Sequence, residues 1–598
     1  MTDADKYLLK QTNKMQYNSK QKRLQYERRW ADNIKLLKGI PLQDKSTYSE
    51  TRRRNKIYYR KIWSISWRLV SALWSSILRD PNNFKISGRD GELDVVKASV
   101  LTEMLRYRID KMESRNNLFI KHIWALKNIV ELGWCAGKLH WKYDEEAQED
   151  YPDYTLYPPE QIYLDFSVDS KDKMRYVIFE NYMTKDELIE NGYENIDEAV
   201  PNNIDSSQVK AARNMTNPEP YSNMSGNSYP EGQSNPDGDS DIKEEFYKVW
   251  EVFYKERGKI YFYVTNGNHC VLKSKDISPY GKKLPIILGL CLTEQHKLIG
   301  EGLPEALEGP QESYNFIMNM RKDNIALALN APTLLQRGIG VDLNALTNRG
   351  PRNVIMADDI NGIKEMPVND VTASSYKEAQ VDVGMMEDVS GITAVIQGMD
   401  TSGTATQSQI NLAQGTAKID LYAAIVASTY YKDFISTLAY YIQKFETDDS
   451  VFRIANVTVS LRDGKAMLNP YDIDFDADIS VSVGQNIGID QEIRQALLIL
   501  DRGNMYNQSQ MQLLQTGVVK PGDQITLFNG SQIFTDLLNV LRKKETSKYF
   551  INVGAPGDPT QLAGSDGVEA LRGVMQPQVG NMADMMPQNE LQMGAYGN

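Results

Sequence analysis

The sequence predicts an α+β fold spread over more than one domain. Three observations carry this expectation. The 598 residues exceed what a single hydrophobic core serves. A composition of 41% hydrophobic and 24% charged residues marks a globular chain. Helical and strand patterns come in separate blocks, so the regular alternation that builds a parallel α/β sheet is missing.

The elements follow in order. Residues 61–78, "KIWSISWRLVSALWSSIL", place Trp63, Trp67, Val70, Trp74 and Ile77 at spacings of three and four, an apolar helical stripe. Arg68 and Arg79 interrupt or flank it, which favours a core or subunit-interface helix over a membrane role. A second helical stretch runs from about Val95 to Val130. It gives way at "ELGWCAGKLHWKYD" to strand alternation through Cys135, Gly137, Leu139 and Trp141. "YTLYPPEQIYLDFS" reads as strand, Pro-Pro turn and short strand. Thr184 and Glu187 have the spacing of a capping box at a helix start. Residues 200–240 are rich in Asn, Ser, Pro and Gly and read as a surface insertion. "FYKVWEVFYKE" and "KIYFYVTNG" predict a hairpin turning at "ERGK", and "LPIILGLCL" a buried strand.

A helix is expected over Gln311–Leu329, with a break near Gly309-Pro310. Residues 331–369 shift to short strands and turns. "ASSYKEAQVDVGMMEDVS" is helical again, with Ser375 and Glu378 at capping-box spacing and Gly391 as its C′ residue. About 40 proline-free residues from "TQSQINLAQ" to "YYIQKF" predict an unusually long helix. Strands around "RIANVTVSL" and "DISVSVG", helices from "DQEIRQALLIL" onward, and a Gly/Pro/Gln/Met-rich tail from about Val553 complete the chain.

The chemical motifs mostly exclude. Cys135, Cys270 and Cys291 form no C-x-x-C pair and read as buried free thiols. The four histidines, His122, His140, His269 and His296, are scattered, which argues against a zinc site and against His-based catalysis. "GMDTSGTA", Gly398 to Ala405, nearly spells a phosphate-binding loop, but Thr404 and Ala405 stand where the lysine and the metal-binding hydroxyl belong. In "YDIDFDADIS", Asp472, Asp474, Asp476 and Asp478 alternate with apolar residues. A strand with one acidic face explains them. A divalent-cation site on them is the alternative, although Ala477 and Val483 replace the Gly and Glu of an EF-hand loop. No apolar run reaches the ~18 residues a membrane-spanning helix needs. The N-terminus lacks the apolar stretch of a signal peptide, so use inside a cytoplasm is expected.

Charge is uneven. Residues 1–70 hold 18 Lys/Arg against 6 Asp/Glu within a chain of net charge −12. Solvated helix faces explain this basic arm, and contact with an acidic surface or nucleic acid is the sharper reading. Residues 301–420 hold 8 Lys/Arg against 16 Asp/Glu. That sign is wrong for tight phosphate binding, and acids that face solvent or neighbouring subunits explain it.

The order of these blocks and the wording of "ELGWCAGKLHWKYD", "HKLIGEGLPEALEGPQESYNFIMNMRKDN" and "SGITAVIQGMDTSGTATQSQINLAQGTAKI" resemble the portal, or head-to-tail connector, proteins of tailed double-stranded DNA bacteriophages. The resemblance implies a portal-type subunit. Residues 1–300 would be an N-terminal wing with 200–240 as a flexible insertion. Residues 301–330 would be the first stem helix region, 331–370 a strand-containing clip and 371–390 the second stem helix. Residues 391–406 would be the tunnel loop, 407–487 the long helix and C-terminal wing strands, 488–550 a helical crown and 551–598 a disordered tail.

It also implies a ring of twelve copies at one capsid vertex of the virion, assembled in the host cytoplasm, with double-stranded DNA in its channel. Its partners would be the terminase large subunit, head-completion adaptors, the major capsid protein and a scaffold. No cofactor, membrane or enzymatic activity is implied. The DNA-facing residues would be Gln397, Gly398, Met399, Asp400, Thr401, Ser402, Gly403 and Thr404. The clip docking surface would carry Arg337, Arg349, Arg352, Asp358 and Asp359. Two other readings stand beside this one: a degenerate P-loop NTPase or translocase, and a DNA-binding protein acting through the basic arm 1–70.

Overall fold

A computed structural model describes residues 2–40, 57–79, 83–87, 92–144, 149–201, 246–281, 283–329, 331, 333–338, 340–342, 356, 360–366, 372–392, 417–446, 478–481, 498–503 and 505–508. The fold is mixed α and β. Its contacts divide the chain into two units, Met1–Gly488 and Ile489–Asn598. In the second unit, residues 498–503 and 505–508 are helical. The insertion expected at 200–240 lies almost wholly outside the described residues, as do the strand "RIANVTVSL" and the tail.

The first unit opens with helix α1, Asp3–Lys38. A reciprocal Thr2/Asp5 capping box starts it and Gly39, at φ 77°, ends it. Helix α2, Lys61–Ile77, corrects the tryptophan stripe. The face it buries is Ile62, Ile65, Leu69, Val70, Leu73 and Ile77, while Trp63 and Trp67 are exposed. Two apolar stripes share this helix, and the slimmer aliphatic one packs closer to neighbouring helices. Strand β1, Phe84–Ser87, follows. The stretch expected as one helix is two, α3 (Glu92–Asn116) and α4 (Leu118–Leu132). They are separated by Asn117 at φ 48°, a left-handed conformation that asparagine tolerates.

Strand β2, Trp134–Asp144, is the centre of a three-stranded antiparallel sheet, between β3 (Glu149–Tyr157) and a strand at Ile287–Leu290. A five-stranded antiparallel meander comprises β4 (Ile162–Leu164), β5 (Tyr176–Met183), β6 (Tyr247–Glu256), β7 (Lys259–Asn266) and β8 (Cys270–Ile277). Between β5 and β6, helix α5 (Lys185–Glu190) starts at the Thr184/Glu187 capping box. The β6–β7 turn is Arg257-Gly258, at φ 49° and 78°, the paired positive values of a tight hairpin turn. The strand at Ile287–Leu290 is β9.

Helix α6 runs unbroken over Leu303–Leu329 with Pro310 inside it, so the expected break does not occur. Leu303 and Leu307 before the proline and Gln311 after it are all buried, and that packing holds the axis where propensity alone would interrupt it. Beyond it lie the short strands β10 (Thr333–Leu335) and β11 (Ile363–Glu365), then α7, Thr372–Ser390. Because α7 begins at Thr372, Ser375 lies within the helix and is not its N-cap. The helix extends three residues N-terminally of it, and just inside, at Tyr376, the Arg321 guanidinium of α6 covers the ring at 4.1 Å.

The long helix is described over 417–445. It contains a π-helical turn at Ala427–Tyr431, followed by α8, Lys432–Phe445. Strand β12, Asp478–Val481, pairs antiparallel with β1. The largest apolar cluster gathers α2, α3, α4 and the long helix, through Leu69, Leu101, Leu126, Ile129, Val426, Phe434 and Leu438.

Candidate functional site

Helices α6 and α7 form an antiparallel hairpin. Leu303 and Leu307 at the start of α6 share the main core with Met386 near the end of α7, whereas Arg321 and Tyr376 meet further out. The hairpin is therefore rooted in the core at one end. At the other end β10 and β11 pair, Thr333 opposite Glu365 and Leu335 opposite Ile363. Gln336 N–H donates to the Gly362 carbonyl at 3.0 Å. This tip is solvent-facing, with Leu334, Met356 and Met366 exposed. Arg337, next to β10, is exposed as well. Arg349, Arg352, Asp358 and Asp359 lie outside the described residues.

One face of α6 carries Gln311, Asn315 and Asn319, at i, i+4 and i+8. All three are buried, and they grip the non-helical residues 57–60 and the first turn of α2. Asn319 accepts from Ile57 N–H at 3.0 Å and donates to the Ile57 carbonyl at 2.9 Å. Asn315 accepts from Tyr59 N–H at 2.9 Å. Gln311 accepts from Ile62 N–H at 3.1 Å and donates to the Tyr59 carbonyl at 2.6 Å. Side-chain amides thus take the place of a neighbouring strand. Their spacing is visible in the sequence as a polar stripe on a helix, but their partner, some 250 positions away, is not.

At the rooted end α7 stops at Gly391, whose φ of 75° places its N–H 2.8 Å from the Glu387 carbonyl. Lys418, in the second residue of the described long helix, donates to the carbonyls of Asp388 and Val389, both at 2.8 Å. A cation on the C-terminal carbonyls of a helix is favourable both as a cap and against the helix dipole. It also ties together the two ends of the segment 393–416, which lies outside the described residues. Ile392 and Ile419 are buried on either side. Gln397, Gly398, Met399, Asp400, Thr401, Ser402, Gly403 and Thr404 fall in that segment. Lys418 has no sequence signature of its own.

The exposed charges on the two hairpin helices are mixed: Glu312 and Lys322 on α6, and Lys377, Glu378 and Asp388 on α7. The basic arm is partly internal. Arg23 is buried and donates to the Ile162 carbonyl at 2.8 Å. Arg29 binds Glu305 through two bonds of 2.6 and 2.7 Å and Glu294 through one of 3.0 Å. At these positions neither a freely solvated face nor an external anion site describes the arm.

Asp472, Asp474 and Asp476 lie outside the described residues, and Asp478 is the exposed first residue of β12. Among the described residues no group of three His, Cys, Asp or Glu side chains is placed to hold a metal ion, and no helix is long and apolar enough to cross a membrane. All three cysteines are buried, and burial pushes the Cys270 and Cys291 thiols up to about 11 and about 12. They are packing residues rather than nucleophiles.

His122 serves the core. Its Nδ1 is 2.7 Å from the Tyr430 hydroxyl, which donates to Tyr154 Oη at 3.3 Å and sits on the π-helical turn. Burial pushes the imidazole down to about 3. The folded state therefore holds neutral histidine. Its contribution is complete above the ordinary value of 6.5 and falls away as pH drops from there toward 3. We expect stability to decrease by about 1.4 kcal/mol per pH unit across that window from this group alone. Urea titrations of the wild type and His122→Gln at pH 7 and pH 5.5 check it, the variant showing the shallower pH dependence.

The family model described as Phage SU10 portal protein matches residues 136–571, well over half of the chain. The match covers β2 from its third residue, the α6–α7 hairpin, the segment 393–416 and the long helix. No curated protein matches the chain.

Proposed function

The chain belongs to the family described as Phage SU10 portal protein, and from that premise we propose that it forms a non-enzymatic ring at one capsid vertex through which DNA enters and leaves. In this reading twelve copies surround the channel. Helices α6 and α7 are the stem, the β10–β11 tip with Arg337 is the clip that meets the terminase large subunit and later the adaptors, and the wing meets the major capsid protein and scaffold. Residues 391–406 are the tunnel loop. Asp358, Asp359, Arg349 and Arg352 belong to the clip in the same reading, and the Ile489–Asn598 unit contains the crown.

The observation that carries the reading is the hairpin itself. It is rooted in the core, carries the paired strands β10 and β11 at its far end, and has the ends of the following segment clasped by Lys418 at its base. The excess of acids over residues 301–420 suits DNA that must slide past rather than bind, since tight sequence-independent binding requires cations against phosphates. Class-averaged negative-stain images of the purified protein are expected to show rings with a central hole. Monomers at every concentration, also in the presence of capsid protein, overturn the reading.

The loop's one charge, Asp400, would then repeat in every copy around the channel. Asp400→Lys converts a non-adhesive collar into a cationic one. Packaged DNA per particle is expected to fall roughly tenfold in a packaging assay, with the defect relieved as salt is raised. Unchanged packaging at low salt shows that the loop's charge is irrelevant.

A further inference from the structure

Helices α2 and α4 lie antiparallel, with Lys127 over the Trp67 ring at 4.8 Å at one end and Trp74 edge-on to Phe119 at 5.9 Å at the other. Their outward side carries Trp63 (45% exposed), Trp67 (38%), Phe119 (47%), Ile120 (44%) and Trp124 (56%). Single exposed apolar residues are ordinary, but three tryptophans and a phenylalanine on one helix pair are not. The charges that α2 and α4 themselves present among them are cations, and one acid borders the ridge, Glu113 of α3, which accepts from Phe119 N–H at 2.6 Å. Arg68 is exposed between the tryptophans, Arg60 lies over the Trp63 ring at 5.3 Å, and Lys127 lies over Trp67. The carboxylate of these two helices, Glu131, is mostly buried beside Ser66 and Lys127. Aromatic anchors flanked by arginine and lysine have the composition of an interface hot spot. Both helices precede residue 136, where the family match begins.

A face of opposite character stands elsewhere in the same unit. Residues 184–200, "TKDELIENGYENIDEAV", hold six carboxylates against Lys185 alone. Glu190, Glu194, Asp197 and Glu198 are exposed, and Ile189 (57%) and Val200 (44%) are exposed among them. Leu188 anchors this knob in the small cluster formed with Tyr247, Val249 and Val264, whereas α2 and α4 belong to the main core.

We infer that the aromatic, cationic ridge of α2–α4 is the docking face for the acidic 184–200 knob of a second copy of this chain. Complementary charge selects the partner, and Ile189 and Val200 supply the apolar contact for the tryptophans. The two faces differ, so the contact is head-to-tail and propagates around a ring instead of closing a dimer. The inference rests on the ring reading above and assigns one of its subunit contacts.

Full-length protein carrying a photo-crosslinking phenylalanine in place of Trp124 tests it, with negative-stain images taken of the same sample. The expected result is a ladder of covalent oligomers whose crosslinked peptide comes from 184–200. Rings whose crosslinks fall elsewhere, on another segment or on capsid protein, overturn this contact and leave the ring reading standing. Monomers without crosslinks overturn both. Arg68→Glu and Glu190→Lys, both at exposed positions, give a second arm. Each alone is expected to raise the concentration for half-assembly about tenfold, and the two together to restore it to within about threefold. Losses that merely add overturn the pairing.

Discussion

Arg108→Ala is expected to cost about 3–5 kcal/mol of stability, a large share of what a domain has in reserve. The Arg108 side chain on α3 is 1% exposed and its partner Glu446, which ends the long helix, is 4% exposed. Nε donates to one carboxylate oxygen at 3.0 Å and Nη2 to the other. The guanidinium also lies 5.6 Å from the Trp141 ring, which stacks on Phe445. Truncating the arginine strands a buried carboxylate at the point where the helix leaves the core. The Arg108→Met/Glu446→Leu double variant is expected to lie much nearer the wild type, because removing both charges leaves neither desolvated without a partner. Urea unfolding of the three proteins decides it. If the double variant is as unstable as Arg108→Ala, the arginine's packing matters and its charge does not.

The pattern of elements was largely legible because period and turn chemistry are local. The capping box at Thr184, the hairpin turning at Arg257-Gly258, and Gly391 closing α7 are each written in a few adjacent residues. What escaped depends on distant partners. Periodicity identified the α2 helix but not its buried face, since a tryptophan stripe and an aliphatic stripe count alike as apolar. Asn117 continues the helical pattern on either side and breaks it only through its backbone. Pro310 advertises a break that burial of its neighbours overrules.

The site followed the same rule. The order of helix, small strands, helix and long helix could be read along the chain. The Lys418 clasp and the buried roles of Arg23 and Arg29 could not, because a lysine or arginine in sequence looks the same whether it meets solvent or a carbonyl. The residues that face DNA under the family resemblance, Gln397 to Thr404, lie outside the described residues.

Replacing Gln311, Asn315 and Asn319 together by leucine removes all five hydrogen bonds by which α6 holds the 57–62 segment. Each backbone group left buried without a partner would cost about 1–3 kcal/mol. The segment instead lifts into water, where its N–H and C=O groups are resolvated, so the expected loss is smaller than the sum, about 3–4 kcal/mol, and local. Amide hydrogen exchange at 57–62 is expected to accelerate about 100- to 1000-fold, while the five-stranded meander keeps its protection. Asn319→Asp separates donor from acceptor. It keeps the bond from Ile57 N–H but loses the one to the Ile57 carbonyl, and a rise of about tenfold is expected. The effect reaches function because this segment is the entry to α2. With the grip gone, the hairpin keeps its core contacts through Leu303, Leu307 and Met386 and the Arg29–Glu305 pair near its base, but from Gln311 to Asn319 α6 no longer holds the entry to α2. Under the proposed function the triple variant assembles fewer complete rings while its monomer stays folded. Unchanged exchange at 57–62 would mean that the main core alone positions this segment and that the amide ladder is incidental.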